Sequence, residues 1–595
     1  MTTAQQDWRE RFQIGYSLLP QVAWKRSERG VLLSTLEGTA QLYAWSPQTG
    51  EMRRLTNLGG GWFGPFAIAP DGSYIVYLKD QFGNNMGHFH KVDYETGLEE
   101  DLTPAAGPFP GLPVELSRDG RWIGMVGAGQ DGFRAYLLDL QNNHSLTELC
   151  HSPSLIIRVA LSADGTIAAV ASSARSSGPH YSLIAYDTTG KQINELWDGP
   201  NTSVELVGFS RRPGDQRAMV MTNKSGFNTL AIWDPATGKC DDLHLEVEGL
   251  LQSADWHSEL GLVLLNTHDK GKQQLIVHDL NTNLRQRVSP TGVFMYPYLD
   301  ESGAILATFS NSISPWRPIR IESGSVKSLI KDSRDIPGSP ELSVEFETSD
   351  GAVIQGWLMK PTAQRTPGPA IIDLHGGPAD VNLGGFAATS QALCDHGVAR
   401  LSINYRGSTT FGRDFEQCIV GRLGELETRD ILAARQYLID NQIAAPDQIF
   451  VAGNSYGGYL SLYAIGRHPD LFAGAIAEAV IGDWTGFYNE SDPIGKSFIS
   501  QYLGGSPEDR PAQYSESSPI TYAKEVNCPV LIFQGSNDTR TPKGQAESYI
   551  KALEDYGKDV QVHWYNHGHG ARDVATWIRF TELKLDFIRK ITRSW

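Results

Sequence analysis

The sequence predicts a multidomain protein, an N-terminal seven-bladed β-propeller followed by a C-terminal domain of alternating strands and helices. Three observations carry this. The chain has 595 residues, about four times a typical domain of roughly 150. Its first half repeats a turn-marked unit of constant length, and near residue 335 the pattern of apolar runs changes. Glycine supports the reading: 61 residues, about a tenth of the chain against a usual ~7%, with no collagen-like period, imply many tight turns.

Composition excludes several classes. Hydrophobic residues make up 40% and aromatic residues 10% of the chain, too much apolar surface for global disorder. The net charge of −17 is spread along the chain, and nowhere does a concentrated basic face of the kind phosphate binding requires stand out, so no nucleic-acid partner is expected. The five cysteines (Cys150, Cys240, Cys394, Cys418, Cys528) are odd in number and widely spaced, forming neither a zinc-ligand pattern nor a disulfide framework. The start at Met1-Thr2-Thr3 has no basic n-region followed by an apolar stretch, and no run of 18 apolar residues occurs. The chain reads as soluble and cytoplasmic, without a membrane partner.

Within the first half, one marker closes a strand in each unit: Trp45 before Thr49-Gly50, Asp93 before Thr96-Gly97, Asp139 before Asn142-Asn143, Asp187 before Thr189-Gly190, Asp234 before Thr237-Gly238 and Asp279 before Thr282-Asn283. From Asp93 the steps are 46, 48, 47 and 45 residues. A second marker stands about 22 residues upstream in most units, at Asp71-Gly72, Asp119-Gly120, Asp164-Gly165, Gly214-Asp215 and Ser302-Gly303. Two turn signals per ~45 residues suit a four-stranded antiparallel blade. With a last unit around Ser323-Gly324 the count is seven, six or eight remaining open because the ends are degenerate. This half carries no catalytic cluster. His88 and His90 share a strand face but have no third ligand nearby, so they are assigned nothing.

The expected boundaries are an N-terminal extension over 1–25, helical and packed on the C-terminal domain, a propeller over 26–333 and a second domain over 334–595. In the latter, apolar runs at Ala370–Ile372, Val398–Ile403, Ile449–Ala452, Val530–Phe533 and Val560–Trp564 read as strands. Amphipathic segments such as Thr428–Asn441 and Asp573–Ile591 read as helices, so the sheet is mostly parallel with helices on both faces.

The chemistry gathers here. Gly453-Asn454-Ser455-Tyr456-Gly457 follows a buried strand and precedes a helix, the strand–turn–helix setting in which Gly-x-Ser-x-Gly presents a nucleophile. This marks an α/β-hydrolase domain. A serine hydroxyl needs an imidazole to take its proton and a carboxylate to hold that imidazole. In chain order the candidates are Asp538, 83 residues on, and His569, 31 further, each just beyond a strand. His567 competes as base, and His569 is preferred for its flanking glycines. The tetrahedral intermediate needs two backbone N–H donors. Tyr456 supplies one, and the loop His375-Gly376-Gly377-Pro378 the other, with Gly377 preferred to Gly376.

With these motifs on the page, the C-terminal domain resembles the prolyl oligopeptidase family of serine peptidases, and within it the acylaminoacyl peptidase branch. The resemblance rests on His375-Gly376-Gly377-Pro378, Asn404-Tyr405-Arg406-Gly407-Ser408-Thr409, Gly453–Tyr459, Asp538-Thr539-Arg540-Thr541-Pro542 and Gly568-His569-Gly570. It implies a propeller that restricts entry to short peptides, and it gives Arg540 the role of holding a substrate carbonyl, against the alternative of an ion pair across the domain interface. Homo-oligomerisation stays open. Three departures stand out: no clear double-glutamate motif of the dipeptidyl peptidase kind in the first half, His567 two positions before His569, and Asn454 before the nucleophile. The expected function is hydrolysis of short acylated peptides through an acyl-enzyme, without cofactor or metal. The alternatives are a carboxylesterase or metabolite amide hydrolase, and a binding scaffold with a vestigial hydrolase domain.

Overall fold

The computed structural model describes residues 7–176, 180–288, 290–331, 336–361 and 367–593. The expected boundary at 333/334 and the first six residues of the expected N-terminal extension lie outside these. Among the described residues the first half forms seven antiparallel sheets, spanning 17–54, 66–101, 115–152, 156–196, 204–243, 250–287 and 293–328. The strands of each sheet pair in sequence order, and the first strands pack against one another around the axis. Blade 2 has a fifth strand, Phe109–Pro110, paired with Met86–Gly87.

The N-terminal extension is corrected in part. Its helix is a single turn, Glu10–Gln13, and Ser17–Ala23 is the first strand of blade 1. Pro20 and a register break between Leu18 and Gln21, with Leu19 at φ 55°, interrupt the alternation that marks a strand in sequence. The segment before it does pack on the second domain: Phe12 clusters with Ile336 and Phe386, and Arg11 pairs with Asp395. Each terminal blade is built from contiguous chain, so the ring closes by packing of blade 1 on blade 7. There Trp45 Nε1–H donates to Leu329 O (2.9 Å) and Leu19 N–H to Thr308 Oγ1 (2.9 Å).

Both glycine-marked turn sets lie between strands 1 and 2 or strands 3 and 4 of a blade, hence at one end of the ring. The hairpins joining strands 2 and 3 occupy the other end, and these meet the C-terminal domain. Val574 N–H donates to Gly38 O, Thr539 Oγ1–H to Asn84 O, Arg413 to Asn223 O and Gln391 to Ser312 O, while Lys270 pairs with Glu345.

The C-terminal domain is one eight-stranded sheet. Its strands are β1 (Glu341–Glu347), β2 (Val353–Met359), β3 (Gly368–Leu374), β4 (Ala399–Asn404), β5 (Ala444–Asn454), β6 (Gly474–Glu478), β7 (Val530–Gly535) and β8 (Val560–Tyr565), in the order β1-β2-β4-β3-β5-β6-β7-β8. From β4 onward all pairs are parallel. Alternate residues face opposite layers: Ala370, Ile372 and Val451 join the core under helices Glu425–Asp440 and Tyr456–Arg467, whereas Ile371 and Phe450 pack with Phe587 of helix Val574–Thr592. Among the described residues no helix is long and apolar enough to cross a membrane.

Candidate active site

The site lies at the C-terminal edge of the parallel strands, beneath the propeller. Strand β5 runs into Ser455, which takes φ 56° and ψ −119°, and helix Tyr456–Arg467 begins at once. Such a conformation persists only when its surroundings over-determine it. Here Ser455 N–H donates to Glu478 O at the end of β6 (2.9 Å). A Cβ on Gly457 would stand 2.0 Å from Leu374 O, so the turn presses directly on the end of β3. As the first helical residue, Tyr456 has no intrahelical acceptor for its N–H. Its hydroxyl donates to the buried Glu427 (2.7 Å), whose carboxyl burial pushes up to about 7.

The loop after β3 is clamped from behind. The His375 ring stacks on Tyr405 (4.2 Å, 17°), and burial pushes its imidazole below the ordinary range. Tyr405 O–H donates to His375 O (2.8 Å) and more weakly to Gly376 O (3.2 Å). A trans peptide points its N–H opposite to its C=O, so the Gly377 N–H turns away from Tyr405. Gly377 lines the same cavity as Ser455.

Asp538 is buried and fully engaged. His569 Nδ1 lies 2.9 Å from its Oδ2, Thr541 O–H donates to Oδ2 (2.7 Å), and the Arg540 and Thr541 amides donate to Oδ1 (both 2.9 Å). Burial alone would raise this carboxyl, but the facing His569 and these hydrogen bonds outweigh it and hold it below the usual range. His567 is elsewhere, with its ring against Gly60 and Nε2 3.9 Å from Asp573. Arg540 lines the Ser455 cavity and, among the described residues, enters no ion pair. His88 and His90 pair with Asp101 and Glu99.

The cavity holds about 390 Å³. Ile481, Phe487 and Phe498 wall it from the hydrolase domain, and Trp62, Met86 and Leu112 from the propeller. It adjoins a groove of about 1140 Å³ that shares Met86, Asp492 and Thr539 with it and runs beside helix Pro493–Leu503. Sequence reasoning did not find Tyr405, Thr541 or Glu427, although the first two stand within the motifs quoted for the resemblance. Only their partners, distant in sequence, reveal what they do.

Fold and site together define a serine hydrolase whose α/β-hydrolase domain is roofed by a β-propeller. Residues 385–594 match the model of the prolyl oligopeptidase family. Dipeptidyl aminopeptidase BIII of Pseudoxanthomonas mexicana is 24% identical over 534 residues, 83% of this chain and 75% of that protein. The acylamino-acid-releasing enzyme of Arabidopsis thaliana is 33% identical over 206 residues, 33% of this chain and 26% of that protein. Among solved structures, a puromycin hydrolase superposes with TM-score 0.84 at 18% identity, covering 99% of this chain and 96% of that one. An acylaminoacyl peptidase of Pyrococcus horikoshii gives 0.74 at 19%, covering 99% and 98%. The C-terminal part of the chain, residues 385–594, is thus a prolyl oligopeptidase family domain.

Proposed function

We propose that the protein cleaves short acylated peptides, with Ser455 as nucleophile, His569 as general base and then acid, and Asp538 as the group that orients His569. Asp538 accepts from Nδ1–H, which leaves Nε2 to take the Ser455 proton as Oγ attacks the scissile carbonyl. The amides of Tyr456 and Gly377 then stabilise the oxyanion, and His569 returns the proton to the leaving amine. Water, activated by the same imidazole, releases the acyl group. Arg540 holds a substrate carbonyl through its planar donor fork, and its place in the Ser455 cavity, with no ion pair among the described residues, favours this over an interface role.

The observation that carries the reading is one compact cavity containing Ser455, Gly377 and Arg540 and walled on one side by the propeller. A volume of about 390 Å³ suits a few apolar groups, which favours short substrates. The named relatives are an acylamino-acid-releasing enzyme and a dipeptidyl aminopeptidase, and the sequence has no clear double-glutamate motif of the kind the latter class uses, its Glu99-Glu100 lying on the outer strand of blade 2. The five free cysteines favour a reducing, cytoplasmic setting. The test compares kcat/KM for an acetyl-aminoacyl anilide, the same anilide with a free amino group, and a short p-nitrophenyl ester. The acylated anilide should be cleaved best among the amides. Preference for the free amine would replace this reading with an aminoacyl-amide hydrolase, the class suggested by the puromycin hydrolase likeness. Fast ester cleavage beside negligible anilide cleavage would make the protein an esterase.

A further inference from the structure

The loop carrying His569 runs from Asn566 to Asp573, between β8 and helix Val574–Thr592, and the propeller encloses much of it. From blade 1, Ala40 N–H donates to Arg572 O (3.0 Å) and Gly38 O accepts from Val574 N–H (2.8 Å). From blade 2, the hairpin tip 81–85 lies directly on the loop: a Cβ on Gly568, beside His569, would stand 1.8 Å from Gly83 O. The same tip reaches the acid loop, where Thr539 O–H donates to Asn84 O (2.5 Å).

Arg572 ties these pieces together. Its guanidinium contacts Asp80 Oδ2 (3.3 Å), Gly83 O (3.2 Å) and Asn85 Oδ1 (3.1 Å). Both members of the Arg572–Asp80 pair are buried, with side chains 4% exposed. Asp80 Oδ2 also accepts from Asn85 N–H (3.1 Å), so the carboxylate that binds Arg572 shapes the hairpin tip as well. A guanidinium fork serving three acceptors in one buried place is rigid in a way an ammonium is not. Among the described residues no hydrogen bond or ion pair joins Arg572 to Ser455, His569 or Asp538; what it holds is the backbone three residues from the base.

We infer that Arg572 is a positioning residue: by gripping Asp80 and the blade 2 hairpin tip it sets the His569 loop against Asp538, so that the propeller completes the catalytic base as well as covering the site. This rests on the proposed role of His569. A displacement of the base by about 1 Å is enough to cost on the order of 100-fold in rate.

The test uses the full chain. Arg572→Ala should lower kcat about 100-fold with KM changed less than about threefold, and should slow fluorophosphonate labelling of Ser455 in proportion. Arg572→Lys, which keeps the charge but not the fork, should recover about a tenth of the wild-type rate. Asp80→Asn, with Gly83 and Asn85 still bonded, should cost about 10-fold in kcat. Circular dichroism and Tm establish that each variant is folded; if Arg572→Ala is not, the Lys and Asn variants decide. Folded variants that lose Tm but keep wild-type kcat and labelling rate would overturn the inference and leave Arg572 as interface packing. Failure of the underlying reading looks different, because the wild type would then carry no Ser455 adduct at all.

Discussion

The two halves of the candidate active site are held in place by different parts of the molecule. On the nucleophile side, every constraint comes from within the hydrolase domain: Ser455 hangs on Glu478 O, Gly457 presses on Leu374 O, and Tyr405 clamps the His375–Gly377 loop. On the base side, the loops of Asp538 and His569 lean on the propeller, through Asn84, Gly83 and the buried Arg572–Asp80 pair. The first is a property of one fold, the second of how two domains meet. Substitutions in the propeller should therefore reach the base and leave the nucleophile elbow intact.

The largest effects test whether these halves form one machine. Ser455→Ala should reduce kcat by about 10⁶-fold and abolish fluorophosphonate labelling, with Tm unchanged. Asp538→Asn should cost about 10⁴-fold in kcat, since an amide cannot hold the same imidazole tautomer. A loss below tenfold would show that another group orients the base. Thr541→Val removes the hydroxyl that donates to Asp538 Oδ2; about 10-fold in kcat is expected, from a hydrogen bond to a charged group worth roughly 1.5–3 kcal/mol that remaining donors partly replace. Arg540→Ala should raise KM about 10-fold with little change in kcat, because its contact is made in ground and transition states alike. A fall in kcat instead would place Arg540 in the transition state.

The smallest effect concerns the nucleophile side and is read as stability. Glu427 has its carboxyl pushed up to about 7 by burial, above its ordinary range. Between the ordinary and the raised value the folded protein binds more protons than the unfolded chain, so stability falls as pH rises through this window. The contribution is on the order of 3 kcal/mol. Asp430, raised to about 6, acts in the same direction. Glu427→Gln should flatten the decline of Tm between pH 5 and 8, measured by calorimetry; an unchanged slope would mean that Glu427 is already charged in the fold.

The nucleophile half was legible in the sequence for a physical reason. A reversal that seats a side chain at φ 56° between two strand ends requires glycines at fixed offsets, and these write a motif. Asp538 and His569 were legible because each follows a strand and the order of the three is constrained by the fold. The propeller repeat was legible because its turns between strands 1 and 2 and between 3 and 4 reuse Asp-Gly and Thr-Gly, but those turns lie at the end away from the active site. The hairpins that meet the hydrolase domain, such as 81–85 and 38–40, share no signature, since each is shaped by a different piece of the facing surface. The first strand of blade 1 was hidden by Pro20 and the break beside Leu19.

Sequence alone thus pointed to the two architectures, to Ser455 and Asp538 as candidate nucleophile and acid, to a histidine at 567 or 569 as candidate base, and to the loop facing them, all of which rest on local backbone demands or on chain order. Tertiary structure alone decided that His569 rather than His567 meets Asp538, that Arg540 lines the cavity without an ion pair among the described residues, and that Arg572 pairs with an aspartate 492 residues away. Those outcomes depend on which surfaces the two domains bring together, and contacts between distant segments leave no periodic trace in a single chain.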